Sequence, residues 1–176
     1  MGNQKYTEER LCEVIGVFLQ YGYNKTSLEM IAKALDVSRQ TLYLRHGNKQ
    51  QLFKDAINYC FNLNYESSKE LMRQPVSKEL YVQLFDGWCG QYVELFQTSP
   101  YAEEMLTAGQ THAKEIIQAH TERFLDALSC HLIKGGYENP EELAEVIYWA
   151  CKGFARYAET RAEYVVQLER FMDAIL

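Results

Sequence analysis

Residues 25–49 read KTSLEMIAKALDVSRQTLYLRHGNK, and their side chains are suited to binding nucleic acid. Arg and Gln pair with guanine and adenine edges, and Tyr can contact a phosphate or pack on a base edge. On a helix over residues 39–46, one face carries Arg39, Gln40, Tyr43 and Leu44, and the opposite face carries Leu42 with Thr41. A merely solvated helix needs no such outward face. We therefore predict that this helix lies in a DNA groove.

The same stretch has the start and stop signals of two short helices joined by a tight turn. Thr26, with Glu29 three residues later, forms the T-x-x-E pattern of a capping box, so Thr26 is predicted to cap the first helix. Asp36 and Val37 end that helix, and Ser38 is a suitable N-cap for the second. This pattern predicts a helix-turn-helix, which reads bases from the N-terminal part of its second helix.

The run GYNKTSLEMIAKALDVSRQTLYLRHGNKQQLF resembles the N-terminal domain of bacterial TetR-type repressors. The matching positions are Gly22-Tyr23, Thr26-Ser27, Ile31-Ala32, Val37-Ser38, Thr41-Leu42-Tyr43 and Lys49 through Leu52. Two positions depart from the family pattern. Asp36 stands where the family usually has a turn glycine, and His46 stands where it usually has an apolar anchor. The second departure raises the question of whether Arg45-His46-Gly47 alters the end of the recognition helix.

The resemblance and the outward face together give a predicted set of DNA-binding residues. The set is Thr26, Ser38, Arg39, Gln40, Thr41, Tyr43, Leu44, Arg45 and Lys49. Within it, Arg39, Gln40 and Tyr43 are expected to meet bases. Thr26, Arg45 and Lys49 are expected to meet phosphates.

The distribution of charge fits a small head that contacts nucleic acid. The formal net charge is −6, but residues 1–52 carry seven Lys or Arg against five acids, which is +2. The remainder carries eleven basic against nineteen acidic side chains, which is −8. A basic head on an acidic body is typical of DNA-binding regulators, although the excess in the head is modest.

Helical periodicity and capping signals predict an all-α fold of about nine helices and no strand. Three helices form the head, of which the first is capped by Thr7 and ends at Gly22. The others are predicted near residues 49–72, 77–97, 101–108, 111–133, 139–159 and 163–175. Gly109 is predicted to end the helix that begins near residue 101. We predict a helix-turn-helix DNA-binding domain over residues 1–48 and a helical ligand-binding and dimerisation domain over residues 49–176.

The body has candidate residues for a ligand pocket if the resemblance extends to function. They are Trp88, Tyr92, Phe96, Met105, His112, Phe124 and Tyr148. Aromatic side chains with a polar atom favour a moderately apolar ligand. The alternative is that this aromatic stripe is ordinary core, and we expect fewer than half of these residues to line a cavity.

The resemblance implies a homodimer formed by the last two helices of each chain. The candidate interface comprises Trp149, Ala150, Gly153, Phe154, Tyr157, Leu168 and Phe171. Small residues there allow helices to approach closely, and the aromatic ones supply packing bulk. The alternative is that these side chains pack within one chain.

Several classes of site are disfavoured by the sequence. It contains no Gly-rich phosphate loop, nucleophile elbow or acid/base constellation, so we expect neither an enzyme nor a cofactor. His112 and His120 lack a third ligand at a recognised spacing, so no metal is expected. No apolar run of about 18 residues occurs, which predicts no membrane partner and a cytoplasmic protein.

The five cysteines, Cys12, Cys60, Cys89, Cys130 and Cys151, are widely spaced and include no C-x-x-C pair. This pattern predicts reduced thiols rather than a disulfide framework or a zinc site. Because free Cys is a common core residue, we expect these thiols to be buried and inert. A thiol sensor is the alternative, because one exposed and activated cysteine would suffice.

The function that the resemblance implies is a ligand-responsive transcriptional regulator. Such a repressor binds a palindromic DNA operator as a homodimer and is released by a small molecule. The alternative, from another class, is a TetR-like helical interaction module or coactivator that binds a protein partner. The modest charge of the head and the altered Arg45-His46-Gly47 run leave room for it.

Overall fold

The computed structural model describes residues 6–176, and every regular element in that range is helical. The helices are α1 (Leu11–Tyr21), α2 (Leu28–Ala34), α3 (Arg39–His46), α4 (Lys49–Leu71), α5 (Lys78–Trp88), α6 (Val93–Thr98), α7 (Ala102–His112), α8 (Lys114–Lys134), α9 (Pro140–Tyr157) and α10 (Arg161–Ile175). Short 3-10 turns at Glu8–Arg10 and Gly90–Tyr92 precede α1 and α6. The predicted all-α class is confirmed.

Two glycines explain where the helix boundaries differ from the prediction. The single helix predicted over residues 77–97 is divided into α5 and α6 near Gly90, where an added Cβ would lie 2.9 Å from the Tyr164 ring. Gly109, by contrast, was expected to interrupt a helix and lies inside α7. An added Cβ at Gly109 would lie 3.3 Å from Ile117, so this glycine serves close packing rather than termination.

The start of α2 corrects one capping prediction. Ser27, not Thr26, is the N-cap, and its hydroxyl accepts a hydrogen bond from the Met30 amide at 3.2 Å. Thr26 is buried, and its hydroxyl donates to the Gly22 carbonyl at 2.6 Å. The T-x-x-E pattern therefore placed the cap one residue too early, because the Thr26 hydroxyl is used by the preceding turn.

The described chain divides into two compact units. The first comprises residues up to Asn62 together with Ser99–Ala119. Its core contains an aromatic cluster in which the ring of Phe53 lies 5.1 Å from that of Phe18 and 4.9 Å from that of Tyr23. All three side chains are almost fully buried, and edge-to-face contacts of this kind stabilise a core beyond the area they bury.

The segment that begins at Ser99 is joined to the first unit by specific hydrogen bonds. The Ser99 hydroxyl donates to the Leu19 carbonyl at 2.6 Å, and the Asn24 amide donates to the Glu104 carboxylate at 2.6 Å. The His112 ring stacks on Tyr23 with centroids 4.7 Å apart. The segment containing α7 therefore packs on α1 and on the loop that follows it.

The second unit comprises Leu63–Thr98 and His120–Leu176. Its core is also aromatic, with the rings of Trp88 and Phe124 stacked at 4.0 Å. α5 packs along α10, and Arg161 forms an ion pair with Asp86 at 2.7 Å beside that contact. The functional division predicted after residue 48 stays a prediction.

Within residues 6–176, none of the helices combines the length and the apolar character that crossing a bilayer requires.

Candidate nucleic-acid interface

α3 is fixed to the first unit by one side and exposes the other. Leu42 is fully buried and anchors the helix. Arg39 and Gln40 are exposed, and the exposed fractions of Tyr43 and Leu44 are 61% and 75%. Tyr43 and Leu44 thus place exposed apolar surface beside these two polar side chains. This outward face is the one that the sequence predicted.

The N-terminus of α3 is capped by Ser38, as the sequence predicted. The Ser38 hydroxyl accepts a hydrogen bond from the Thr41 amide at 3.0 Å and lies 2.8 Å from the Thr41 hydroxyl. A side-chain cap of this type contributes about 1 kcal/mol to helix stability. Ser38 and Thr41 thus lie together at the start of the helix, next to Arg39 and Gln40.

The turn between α2 and α3 depends on two features. Asp36 adopts a φ of 48°, in the left-handed region, and the Val37 amide donates to the Ala32 carbonyl at 3.0 Å. The Arg10 guanidinium donates to the Leu35 carbonyl and is held by an ion pair with Glu13 at 2.9 Å. The sequence indicated the role of Asp36 but not that of Arg10, whose partner is 25 residues away.

His46, at the end of α3, is a polar anchor. Its Nδ1 lies 2.6 Å from the Asp55 carboxylate, and its Nε2 lies 3.0 Å from the Tyr6 hydroxyl. A carboxylate can only accept, so Nδ1 donates to Asp55, and in the neutral imidazole Nε2 is left to accept from the Tyr6 hydroxyl. Burial raises the pKa of the Tyr6 hydroxyl to about 12, so the hydroxyl keeps its proton further into the alkaline range than an exposed tyrosine does. Gln51 donates to the other Asp55 oxygen at 2.8 Å.

The replacement of an apolar residue by His46 therefore leaves α3 regular to its last residue. The helix ends at Gly47, whose φ is 73° and whose amide donates to the Tyr43 carbonyl at 2.8 Å. Sequence reasoning missed Tyr6 and Asp55. A buried His implies a polar partner, but nothing in the sequence says which.

Two of the predicted phosphate contacts have structural roles. Both donors of Thr26, the amide and the hydroxyl, point to the Gly22 carbonyl. The Lys49 ammonium donates to the carbonyls of Tyr23 and Asn24 at 2.9 and 3.3 Å. Arg45 is exposed, with its guanidinium 5.2 Å from the centre of the Tyr6 ring. Of the three, Arg45 presents its charge most directly to solvent.

Residues 15–56 match the model of a family described as bacterial regulatory proteins of the tetR family. This chain has a TetR-type DNA-binding head. A curated relative is IcaR of Staphylococcus epidermidis, described as a negative transcriptional regulator of the biofilm operon icaADBC. IcaR is 31% identical over 48 residues, which are 27% of this chain and 26% of IcaR. The chain covers 26%, 56% and 30% of the lengths of three curated relatives that it matches.

Solved structures of TetR-family regulators share the fold along the whole chain. One is CifR bound to a 26-base-pair operator, with a TM-score of 0.72, 16% identity and complete coverage of both chains. Another is FadR of Bacillus subtilis in complex with stearoyl-CoA, with a TM-score of 0.69 and 15% identity over 97% of this chain and all of that one. These likenesses show the fold. The match of residues 15–56 to the tetR family model favours a transcriptional regulator over the alternative of a protein-interaction module.

Beyond the TetR-type head, the residues predicted to line a ligand pocket are dispersed. Met105 and His112 belong to the first unit, whereas Trp88, Tyr92, Phe96, Phe124 and Tyr148 belong to the second. Trp88, Phe124 and Tyr148 are buried core side chains that pack on one another. The Tyr92 hydroxyl accepts a hydrogen bond from Asn64 at 3.1 Å. Their role in ligand binding stays a prediction.

A groove of about 690 Å³ lies in the second unit, at the C-terminal ends of α4 and α8. It is lined by Lys69, Met72, Arg73, Gln74, Pro75, Val76, Ala127, Cys130, His131, Lys134 and Gly135. None of the seven predicted pocket residues is among them. Two of its cations lie beside acids close in sequence, Lys69 at 3.5 Å from Glu66 and Arg73 at 2.8 Å from Glu70. Exposed pairs of this kind are weak, so a bound anion could replace the acids at little cost.

The predicted dimer residues are partly available to a partner chain. Trp149 and Tyr157 are 54% and 83% exposed, and Val146 on the same helix is 55% exposed. Phe154 packs edge-to-face on Phe171 at 5.4 Å, and these two rings, with Ala150 and Gly153, are half-buried. Leu168 is fully buried within the chain, so its part in an interface is not supported by its position.

Proposed function

We propose that this protein is a ligand-responsive repressor that binds a palindromic operator as a homodimer in the cytoplasm. The observation that carries the proposal is the exposed face of α3, where Arg39, Gln40 and Tyr43 project from a helix fixed by buried Leu42 and by His46. The TetR-type head supplies the docking geometry, in which the second helix of the motif enters the major groove.

The proposed contacts are of two kinds, those to base edges and those to phosphates. Arg39, Gln40 and Tyr43 meet base edges, and Leu44 packs close to them. Arg45 meets a phosphate. The Lys49 ammonium has three donors, two of which are used by backbone carbonyls, so the third can reach a phosphate. We leave Thr26 out of the proposed contacts because both of its donors are engaged.

We propose that the dimer forms through α9 and α10. Trp149 and Tyr157, together with Val146, give α9 a large exposed apolar surface. Such surfaces on a single chain mark interaction sites, and a two-fold dimer explains how a small head gains specificity from two half-sites. The partner would bury these side chains against its own copies of them.

We infer that the effector is an apolar molecule with an anionic group. The groove in the second unit supports this, because it combines Lys69, Arg73 and Lys134 with the apolar side chains of Met72 and Val76. Its volume lies in the range of small-molecule sites. FadR of Bacillus subtilis, which shares the fold, was solved with stearoyl-CoA, a ligand of this class.

We propose that the operator is released because the effector binds more tightly to one arrangement of the two heads than to the other. An effector shifts the equilibrium only by its difference in affinity between two arrangements of the heads. In the arrangement that the effector favours, the heads no longer fit successive major grooves.

The test of DNA binding is selection of bound duplexes from a random pool, followed by titration of the selected duplex at several salt concentrations. A palindromic site with a steep salt dependence is the expected result. Absence of enrichment, with the protein folded and dimeric, would refute the repressor and favour the protein-partner alternative.

The test of the effector uses stearoyl-CoA as the probe. Direct titration should show saturable binding by the wild type and weaker binding by Arg73→Glu and Lys134→Glu. Lys114→Glu, which changes an exposed cation at the opposite end of α8, is the matched control and should bind as the wild type does. Equal binding by all variants would remove the groove from the proposal without affecting operator recognition.

A further inference from the structure

The sulfur atoms of Cys12 and Cys60 lie 3.2 Å apart. Cys12 is exposed at the start of α1, and Cys60 is half-buried on α4. A disulfide requires about 2.0 Å, so closing the remaining gap needs a displacement of about 1 Å. The sequence separation of 48 residues hides this pair. The cysteines were predicted to be buried because free Cys is a common core residue, and that prediction is wrong for Cys12 and Cys130, which are exposed.

We propose that Cys12 and Cys60 form a hydroperoxide-responsive dithiol whose oxidation weakens operator binding. Reactive dithiols of intracellular proteins are commonly redox sensors, since structural disulfides are rare there. The site goes beyond the proposed function. Its effect on operator affinity rests on that function, whereas disulfide formation does not.

The two cysteines have different roles in the reaction. Cys12 is the exposed partner and meets the oxidant. Its sulfur attacks a hydroperoxide oxygen, the O–O bond breaks, and the products are a sulfenic acid at Cys12 and an alcohol, or water from hydrogen peroxide. The Cys60 sulfur then attacks the Cys12 sulfur, and the S–O bond breaks. The leaving hydroxide takes the Cys60 proton as water, so two thiols lose two electrons and the peroxide gains them.

Burial supports Cys60 as the second, resolving cysteine. Desolvation, with the hydrogen bond to Cys12 as a smaller cause, raises the pKa of the Cys60 thiol well above its ordinary value. A buried thiol of this kind reacts slowly with an oxidant in solution but is held beside the sulfenic acid once Cys12 is oxidised.

The disulfide would act on the elements that hold the recognition helix. Cys12 lies beside Cys60, and Phe18 lies 5.1 Å from Phe53, so α1 and α4 run antiparallel over this stretch. Tyr6 precedes α1 and Asp55 lies on α4, and both hold His46 at the end of α3. Drawing α1 and α4 together changes the distance between these two partners of His46, and with it the seating of α3.

The first experiment maps the thiols after treatment with hydrogen peroxide. In the wild type, two thiols should be lost, with a Cys12–Cys60 linked peptide that dithiothreitol cleaves. Cys12→Ser and Cys60→Ser should each abolish that peptide. Cys130→Ser, which removes another exposed cysteine, should leave it unchanged. Circular dichroism of each variant verifies that it is folded, and over-oxidised Cys12 without the linked peptide would overturn the proposal.

The second experiment measures affinity for the selected operator before and after oxidation. The oxidised wild type should bind about tenfold more weakly, within the usual range of coupling between two sites, and dithiothreitol should restore binding. Cys60→Ser should be unaffected by peroxide. A disulfide with unchanged affinity would overturn the regulatory part. Failure of the reduced protein to bind any operator would instead count against the proposed function.

Discussion

The hydroxyl of Tyr6 lies 3.0 Å from Nε2 of His46, a residue forty positions further along the chain. Tyr6 is almost fully buried, so the chain just before α1 closes over the end of the recognition helix. The imidazole is held on its other side by Asp55 at 2.6 Å. A TetR-type head usually places an apolar residue at this position. Here the hydrogen-bonded side chains of Tyr6, His46 and Asp55 anchor the end of α3 instead.

Tyr6→Phe tests the hydrogen bond to His46. Removing the hydroxyl leaves a buried imidazole nitrogen without its donor, and the free energy of unfolding should fall by about 1–3 kcal/mol. Denaturant unfolding measures this. Tyr43→Phe is the matched control, because Tyr43 is exposed and the change there should stay within about 0.5 kcal/mol. Equal losses at the two positions would contradict a role for the Tyr6 hydroxyl.

The pKa of Tyr6 predicts a dependence of stability on alkaline pH. Burial raises it from 10.0 in the unfolded chain to about 12 in the folded one. The folded protein therefore retains a proton that the unfolded chain loses, so the contribution to stability is complete below pH 10 and falls as pH rises towards 12. The difference in unfolding free energy between wild type and Tyr6→Phe should shrink over this interval. A constant difference would show that Tyr6 ionises alike in both states.

Arg39→Ala tests base recognition. If Arg39 pairs with a base edge, its removal should cost about 1–3 kcal/mol on the selected operator and relax the preference at one base pair. Arg45→Ala is the comparison, since loss of a phosphate contact weakens all sequences alike and lowers the salt slope by about one per head. Selection from a random pool by both variants distinguishes the two outcomes. An unchanged base preference in Arg39→Ala would exclude a base contact by Arg39.

Lys49→Ala tests a residue with two roles. The ammonium donates to the carbonyls of Tyr23 and Asn24, so its removal should lower the free energy of unfolding by about 1–3 kcal/mol. The salt slope of operator binding should also fall by about one per head. Lys33→Ala, at an exposed position on α2, is the control for stability. If Lys49→Ala is as stable as Lys33→Ala, the carbonyl contacts contribute nothing measurable.

Tyr157→Glu tests the dimer. Tyr157 is 83% exposed on α9, and a charge there should shift the protein towards monomer and weaken operator binding. Ile133→Glu, on α8, places the same charge at a residue that is 55% exposed and should leave the dimer intact. Sedimentation velocity over a range of concentrations measures both. A dimer that persists in Tyr157→Glu would contradict the proposed interface at Tyr157 on α9.

The parts of the fold that were predictable from sequence depend on local signals. Ser38 caps α3 because its hydroxyl needs only the amide three residues on, and Leu42 is buried because helical spacing puts it opposite the exposed face. The left-handed φ of Asp36 was indicated by the resemblance, because Asp36 stands where the family usually has a turn glycine. Each of these features is fixed within a few residues.

The parts that were missed depend on partners distant in sequence. The Arg10 contact with the Leu35 carbonyl, the Cys12–Cys60 contact and the position of Tyr6 arise only when α1 packs on its neighbours. The ligand pocket, too, stays a prediction, because the sequence pattern behind it is ambiguous. A stripe of aromatic residues at helical spacing reports that a face is buried, not whether it faces other side chains or a cavity.

The close approach at Gly22 limits how far the head can be treated as an exchangeable module. A Cβ at this position would lie 2.7 Å from the Glu104 carboxylate and 2.8 Å from the Tyr101 ring, so residues near the start of α7 fill the space that a side chain would occupy. In a chimera that grafts residues 1–62 onto a foreign regulator, the replacement for α7 must present the same contour. A hybrid repressor made from this chain is best assembled with Ser99–Ala119 carried along.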